Sequence, residues 1–300
     1  MFYSILHHTD HAYSVPVSES VMEARMMPRT EGPQRCLAFE LTTHPRAHVL
    51  HYQEHLENTV HHFDVPGLHQ HLRLTARAVV EMLDDFPVIP PLDPEAWKEI
   101  DHLVAEGDYW EMLMPSRFVQ FTPRLLELAK ELNVVRRDDP YTLLAELNTR
   151  LHKAMAYVPH ATKVDSPIDE ALEKRKGVCQ DYAHILLALV RHLGVPARYV
   201  SGYFFWGAED DKVVDHGATH SWIEALLPGW GWVGFDPSNN LRAGARHIRV
   251  AVGRDYADVP PTRGVFKGEA ESNVSVHVRV QEVKEGPKHA FSLPSEVEMA

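Results

Sequence analysis

The sequence predicts an α+β protein, with an all-β N-terminal region, a helical middle and a return to strands. Three observations carry this. Apolar and polar residues alternate at the two-residue period of strands through the first ~90 residues. Helical spacing follows, behind Asp, Thr and Ser residues that each precede a proline. From Ala197 the rhythm returns to strands. A single core rarely grows beyond about 250–300 residues, so a chain of 300 residues is expected to form two units. These are a sandwich-like β domain over residues 1–90 and a domain over 91–283 that carries the candidate chemistry, with a polar, fraying tail over 284–300.

The elements can be taken in order. His71–Ala78 puts Leu72, Leu74, Ala76 and Ala78 on one face, with His71, Arg73, Thr75 and Arg77 on the other, as in a half-buried strand. Val60–Asp64 reads as another strand after a turn at Asn58-Thr59, and His48–Leu56 alternates less cleanly. Pro87-Val88-Ile89-Pro90-Pro91 ends this pattern. Asp93-Pro94 then starts a helix, with an N-cap followed by proline in the first turn. Thr122-Pro123 repeats the logic ahead of Leu125, Leu128, Ala129 and Leu132. A third helix spans Tyr141 to Met155, with Leu144, Leu147, Leu151 and Met155 on one face. Ser166-Pro167 opens a short fourth helix that runs up to Gly177. The later strands are Arg198–Phe205, Thr219–Leu226, Trp232–Asp236, His247–Val252 and Val274–Val280.

Bulk properties exclude several partners. A formal charge of -12 argues against nucleic acid, because affinity for a polyanion comes from Lys and Arg neutralising phosphates. No run approaches the roughly 20 apolar residues that span a bilayer, so no membrane partner is expected. Met1–Asp10 has neither the basic nor the apolar segment of a signal peptide. Two cysteines, Cys36 and Cys179, make no disulfide framework. A reducing cytoplasm is the default expectation, and it keeps a nucleophilic thiol in working order.

The most informative segment is Gly177-Val178-Cys179-Gln180-Asp181. Ala183, Leu186, Leu187, Val190 and Leu193 recur at helical spacing behind it, and Gly194 with Pro196 ends the helix. Cys179 therefore falls in the first turn, where unpaired N–H groups and the helix dipole favour an anion. A thiolate is such an anion and is the nucleophilic form of cysteine. Gly177 is expected to permit a tight entry and to leave room for a substrate. The plainer alternative is that Cys179 is a small buried hydrophobe.

A nucleophilic thiol needs a base, and the base needs an orienting group. Thr219–Ala225 and Trp232–Asp236 flank Pro228-Gly229, which reads as strand, turn, strand. Placing His220 opposite Asp236 centres the turn on Pro228. It also puts the pair on one face at about 4.5–5.5 Å between Cβ atoms. The arrangement needs an odd-length loop with Gly229 at positive φ, whereas a two-residue loop would send the two side chains to opposite faces. It is the chemistry, not the turn signal, that asks for the odd loop.

With these residues in view, the sequence resembles the transglutaminase-like superfamily, in its bacterial form with an N-terminal β-domain. The matching stretches are Gly177–Asp181, Pro196–Tyr203, His220–Glu224, Gly231–Pro237, Val250–Tyr256 and Val259–Pro261, with weaker likeness at Tyr13, Pro16-Val17 and Pro28-Arg29. A serine follows His220 where alanine is common. The resemblance implies a papain-like core with the cysteine's helix packed on an antiparallel sheet, a Cys179–His220–Asp236 triad, and acyl transfer at amide bonds of a peptide or protein substrate without a cofactor or metal. The thioester is expected to be hydrolysed. Transamidation is the alternative, and the acidic loop from Gly207 to Gly217, with Glu209, Asp210, Asp211 and Asp215, could recruit a cationic amine for it. The N–H of Cys179 would donate to the oxyanion, with Gln180 or a residue near Tyr157–His160 as candidates for a second donor. Trp222, with Trp230 and Trp232, could line a cleft, as could Gln180 and Tyr157.

Two rival readings remain. Twelve of the 21 histidines lie before residue 115, and His51/His55 or His69/His71 could each share a strand face as metal ligands. No recognised zinc spacing supports this, and a solvated sheet face explains them as well. The second rival is a catalytically silent binding module on the same fold. The sequence leaves the oligomeric state open.

Overall fold

The structure, a computed structural model, describes residues 1–83, 86–207, 219–284 and 286. The acidic residues Glu209, Asp210, Asp211 and Asp215 and nearly all of the tail 284–300 lie outside the described residues.

The N-terminal half is one six-stranded antiparallel sheet. Its spine is β1 (Phe2–Ala24) paired along most of its length with β4 (Thr59–Met82). β2 (Gln34–His44) and β3 (Leu50–Gln53) lie on the far edge of β4. The other edge of β1 is covered by the end of the chain, β12 (Thr262–Lys267) and β13 (Ser272–Val283). Val60–Asp64 and His71–Ala78, expected as separate strands, are parts of the single strand β4. Pro66-Gly67 acts within it as an irregularity, with Gly67 at φ 94°, and the β1–β4 register shifts between Ala12 and Glu19. The two halves of these strands share a small core of Tyr13, Val17 and Met22 with Leu72 and Leu74. The expected sandwich is therefore one long sheet folded on itself.

Helices fill the middle of the chain. They are α1 (Ala96–Glu106), α2 (Pro123–Glu131), α3 (Pro140–Ala154), α4 (Ile168–Lys174) and α5 (Cys179–His192). Side-chain caps operate at two of them, the expected one at Thr122 and one at Asp139 that the sequence reading did not single out. Thr122 Oγ1 accepts from the N–H of Leu125 at 3.2 Å, and Asp139 Oδ1 accepts from Thr142 at 3.0 Å. α1 starts later than expected, because Asp93 instead closes a turn by accepting from the N–H of Glu95. Arg175, at φ 50°, reverses the chain after α4. The two-residue β5 (Ala156–Tyr157) and β6 (Lys176–Gly177) then pair in parallel and aim the chain into α5.

The second sheet holds β7 (Ala197–Phe204), β8 (His220–Leu227), β9 (Gly231–Asp236), β10 (Leu241–Arg242) and β11 (His247–Gly253) in the order β10-β9-β8-β7-β11. α5 packs on it, burying Leu186, Leu187 and Val190 against Tyr199, Ile223 and Ala225. Tyr3, Ile5 and Val80 of the first sheet belong to the same continuous core. The β-rich start and the helical middle thus share apolar contacts rather than keeping separate cores.

The free edge of β11 is sealed by two amide side chains from the first half. Gln34 accepts from the N–H of Arg249 at 2.7 Å and donates to its carbonyl at 2.8 Å. Asn58 does the same for Val252, at 2.8 Å for each bond. Each side chain thereby mimics a neighbouring strand and satisfies an edge that would otherwise be open. Beside them Glu224, fully buried, accepts from Arg198 at 2.8 Å and pairs with Arg249, while Arg198 also reaches Glu31 at 3.2 Å.

Candidate active site

Cys179 is the first residue of α5 and is partly exposed. Asp181, in the same turn, reaches back to accept from the N–H of Val178 at 2.8 Å and from Thr162 at 2.6 Å. This fixes the entry to the helix. It also gives Gly177 a different reason from the expected one. A Cβ there would stand 2.7 Å from Asp181 Cβ and Oδ2, so the glycine makes room for the capping carboxylate.

His220 opens β8 and Asp236 closes β9. Their hairpin has a three-residue loop, with Leu227 paired to Gly231 and Gly229 at φ 74°, so the odd length and the positive φ are as expected. The register differs. Ile223 faces Phe235, which centres the turn on Gly229 rather than Pro228. Continued in that register, Asp236 falls opposite Trp222 and diagonal to His220. The offset is two residues in the partner strand, so the side chains keep a common face. His220 Nε2 reaches Asp236 Oδ2 at 2.8 Å.

That contact leaves Nδ1 of His220 for Cys179, with which the ring shares a hydrogen bond. Burial pushes the Cys179 thiol up, but the hydrogen bond and charge of His220 and the adjacent Ser221 hydroxyl outweigh it, and the thiol ends below its ordinary value. The buried Ser221 hydroxyl neighbours both the sulfur and the Tyr199 hydroxyl. Burial likewise disfavours the His220 imidazolium, yet Asp236 and Cys179 raise it to about 10. The two shifts favour a thiolate–imidazolium pair.

Asp236 is fully buried and its carboxylate accepts from six donors. Oδ1 takes the N–H of Ser238 at 3.1 Å, its hydroxyl at 2.8 Å and the N–H of Asn239 at 3.2 Å, as in an Asx turn. Oδ2 takes His220, the Asn239 amide at 2.8 Å and Nε2 of His247 at 3.1 Å. Burial works against this anion, but His220 and His247 hold it well below the usual carboxylate range.

His247, Ser238 and Asn239 were not anticipated from the sequence. The run Asp-Pro-Ser-Asn is a turn signal that could have pointed to the last two. Nothing local marks His247, which arrives on the edge strand β11. The ligand atoms of His220, Asp236 and His247 lie within 4.8 Å of one another, close enough to consider a cation. However, His247 Nδ1 accepts from the N–H of Gly244 at 3.2 Å, so its proton sits on Nε2, aimed at Asp236. A metal on Nε2 would have to displace that proton and the one on His220. The donor set suits protons better. Among the described residues no such cluster forms in the N-terminal half. His69 bonds Ser20 and Gly67, and His7, His11 and His61 are buried, so the histidine-rich face is only partly solvated.

The remaining site candidates scatter. Trp222 is fully buried and stacks on His220 with ring centroids 6.0 Å apart, so it is core beneath the base and not a cleft wall. Trp230 and Trp232 sit at the opposite end of the hairpin, where Arg198 covers Trp232. Gln180 donates to the carbonyl of Val164 at 2.8 Å, which commits its amide away from an oxyanion. Tyr157 is exposed and pairs with Gly177 at the approach to Cys179. Trp206, half-buried 6.4 Å from the His220 ring, is an aromatic neighbour that the sequence did not single out.

Known proteins resemble this chain in sequence and in fold. Residues 128–237 match the family model of the transglutaminase-like superfamily, and residues 3–81 match that of the bacterial transglutaminase-like N-terminal region. An uncharacterized protein of Mycobacterium leprae is 30% identical over 279 residues, covering 92% of this chain and 97% of the relative. A protein-glutamine gamma-glutamyltransferase of Pseudomonas aeruginosa is 35% identical over 124 residues, but these are 39% of this chain and 18% of that enzyme. A Cytophaga hutchinsonii crystal structure, named as that of a candidate cysteine protease, shares the fold with a TM-score of 0.70 at 21% identity, covering 96% of this chain and 93% of that one. The chain belongs to the transglutaminase-like superfamily, with the bacterial transglutaminase-like N-terminal region preceding its core.

Proposed function

We propose that this protein is a cysteine enzyme that attacks amide bonds of a peptide or protein and hydrolyses the resulting thioester. The observation that carries the reading is His220 held between Cys179 and Asp236, 2.8 Å from the carboxylate. In the reaction the Cys179 thiolate adds to the amide carbonyl. The N–H of Cys179 at the start of α5 donates to the oxyanion. The His220 imidazolium gives its proton to the departing amine or ammonia, leaving a thioester on Cys179. Neutral His220 then takes a proton from water as it attacks, releasing the acid and restoring the thiolate. Asp236 keeps His220 oriented and stabilises it when charged. A reducing compartment such as the cytoplasm would keep the thiol competent.

Similarity to a gamma-glutamyltransferase favours transamidation as the second reading. It requires an amine to outcompete water at the thioester, and so a dry acceptor channel. The test has two steps. Iodoacetamide at neutral pH should alkylate Cys179 far faster than Cys36, whose thiol burial pushes up to about 11. Equal labelling would remove the nucleophile from the proposal. A glutamine peptide offered with excess labelled amine should then yield mainly free acid. Efficient amine incorporation would replace hydrolysis with transamidation.

A further inference from the structure

We propose that the cleft of about 480 Å³ between the N-terminal sheet and the Cys179–His220 unit is a substrate subsite for an uncharged peptide side chain that ends in one hydrogen-bonding group. The proposal rests on the amide-attacking reading above.

The cleft arises because two surfaces part. At its start β1 lies against the common core through Tyr3 and Ile5, and His7 Nδ1 meets the Tyr203 hydroxyl at 2.9 Å. From Thr9 to Tyr13 the same face of β1 borders open space. The opposite wall holds Val164, Thr219 and Tyr256. Thr219 precedes His220 in the chain, and the Val164 carbonyl is the group that holds Gln180, next to Cys179. The cavity is therefore lined by the residue that precedes the base and by the one that anchors the neighbour of the nucleophile, at a seam between units where ligand sites commonly form.

Its lining sets the chemistry. Met22, Phe266 and Val274 supply apolar area, and among the described residues no Asp, Glu or Lys contributes to it. The cation among the lining residues, Arg263, pairs in register with Glu23, on the face opposite Met22 and Gly264, so strand alternation turns its side chain away. A charged ligand group would thus be desolvated without a counter-charge. His11, only 9% exposed, has no partner for Nε2 among the described residues. Burial lowers its pKa, with Asp10 opposing more weakly, so the ring is neutral. Thr9 and Tyr13 already have partners in His7 and Ser20. A buried polar atom left unpaired in a cavity wall is what a ligand's polar tip would satisfy.

The test uses four chloroacetyl peptides carrying phenylalanine, tyrosine, 4-carboxyphenylalanine or 4-aminomethylphenylalanine. The Cys179 thiolate displaces chloride and forms a thioether, and the rate is read by mass mapping. The tyrosine probe should react about fivefold faster than the phenylalanine probe through one hydrogen bond. Both should outrun the charged probes by roughly tenfold or more. His11→Leu should abolish the tyrosine preference and leave the iodoacetamide rate unchanged. Val274→Trp, opposite His11 in the β1–β13 register, should fill the cavity and slow all four probes alone. Four equal rates, a charged probe reacting fastest, or a tyrosine preference that survives His11→Leu would overturn the subsite. If iodoacetamide itself does not prefer Cys179 over Cys36, the underlying reading fails instead.

Discussion

At the residue scale, the Asp236 carboxylate organises the site, because six donors converge on it. Asp236→Asn replaces one acceptor oxygen by an NH2 that faces donors. Turnover should fall roughly 100-fold or more as His220 loses its fixed orientation. The sequence alone suggests an otherwise intact fold, but the crowded donors imply a lower Tm as well, readable by calorimetry. A variant with both turnover and Tm unchanged would mean that Asp236 does not orient the base. His247 should act as a positioning residue. His247→Leu removes a donor from Oδ2 and should cost about tenfold in turnover. His247→Gln can still donate and should recover much of the loss; if both variants behave alike, the hydrogen bond is not what matters. The pH dependence follows from the paired shifts. Turnover should rise through the depressed thiol pKa and fall as His220 deprotonates near 10, as the behaviour of a coupled pair. For stability, the His220 contribution is full below its unfolded pKa of about 6.5 and is lost as pH rises through about 10. Denaturant midpoints across that alkaline range would show a decline that disappears in His220→Gln.

At the element scale, two glycines of the second sheet separate strain from crowding. Gly229 takes φ 74° in the hairpin loop, and a Cβ added there would meet nothing within 4 Å, so Gly229→Ala is strained only through its backbone and should cost about 1–2 kcal/mol. Gly202 has ordinary φ but pairs with His220, and a Cβ there would stand 2.2 Å from the Ile248 carbonyl and 2.6 Å from the Trp222 ring. Gly202→Ala must therefore push β7 and β11 apart at the level of His220 and His247. Overpacking of this kind costs roughly 1–3 kcal/mol, and here turnover should drop along with Tm. Equal kinetics for the two variants would show that the site tolerates movement of β7. Much at this scale was legible in the sequence. Proline after a capping residue placed α2, the spacing of Leu144, Leu147 and Leu151 placed α3, and Gly194 with Pro196 ended α5. The long strands β1 and β4 were not legible, because proline at Pro16 and Pro66 interrupts the strand pattern locally while the ladder continues past it with shifts of register.

At the scale of the whole molecule, the two halves are welded through backbone satisfaction as well as shared core. Gln34 and Asn58 replace a strand neighbour for Arg249 and Val252. The Arg249 carbonyl keeps the N–H of Arg29 at 3.0 Å. The double variant Gln34→Leu/Asn58→Leu would still take the side-chain partners from the Arg249 N–H and from both backbone groups of Val252, at about 1–3 kcal/mol for each group left unpaired. Hydrogen exchange at the Arg249 and Val252 amides should quicken, and Tm should fall by several degrees. Unchanged exchange would mean that other groups seal β11. Strands from both ends of the chain build the first sheet, since β12 and β13 return to pair with β1.

The sequence by itself determined the alternation of strands, helices and strands, the helix that opens on Cys179, and the turn at Pro228-Gly229 that joins the strands of His220 and Asp236. These are local matters: helical period, capping chemistry and the two-residue repeat of strands act over a few neighbouring residues. The parity of that hairpin was asked for by the chemistry and supplied by the structure. Only the tertiary structure decided the hairpin register, the removal of Trp222 and Gln180 from the cleft, the second histidine on Asp236, and the return of the chain's end to its first strand. Each of those depends on which distant strands lie side by side, and that choice is made by burying apolar faces and satisfying backbone groups across the whole molecule.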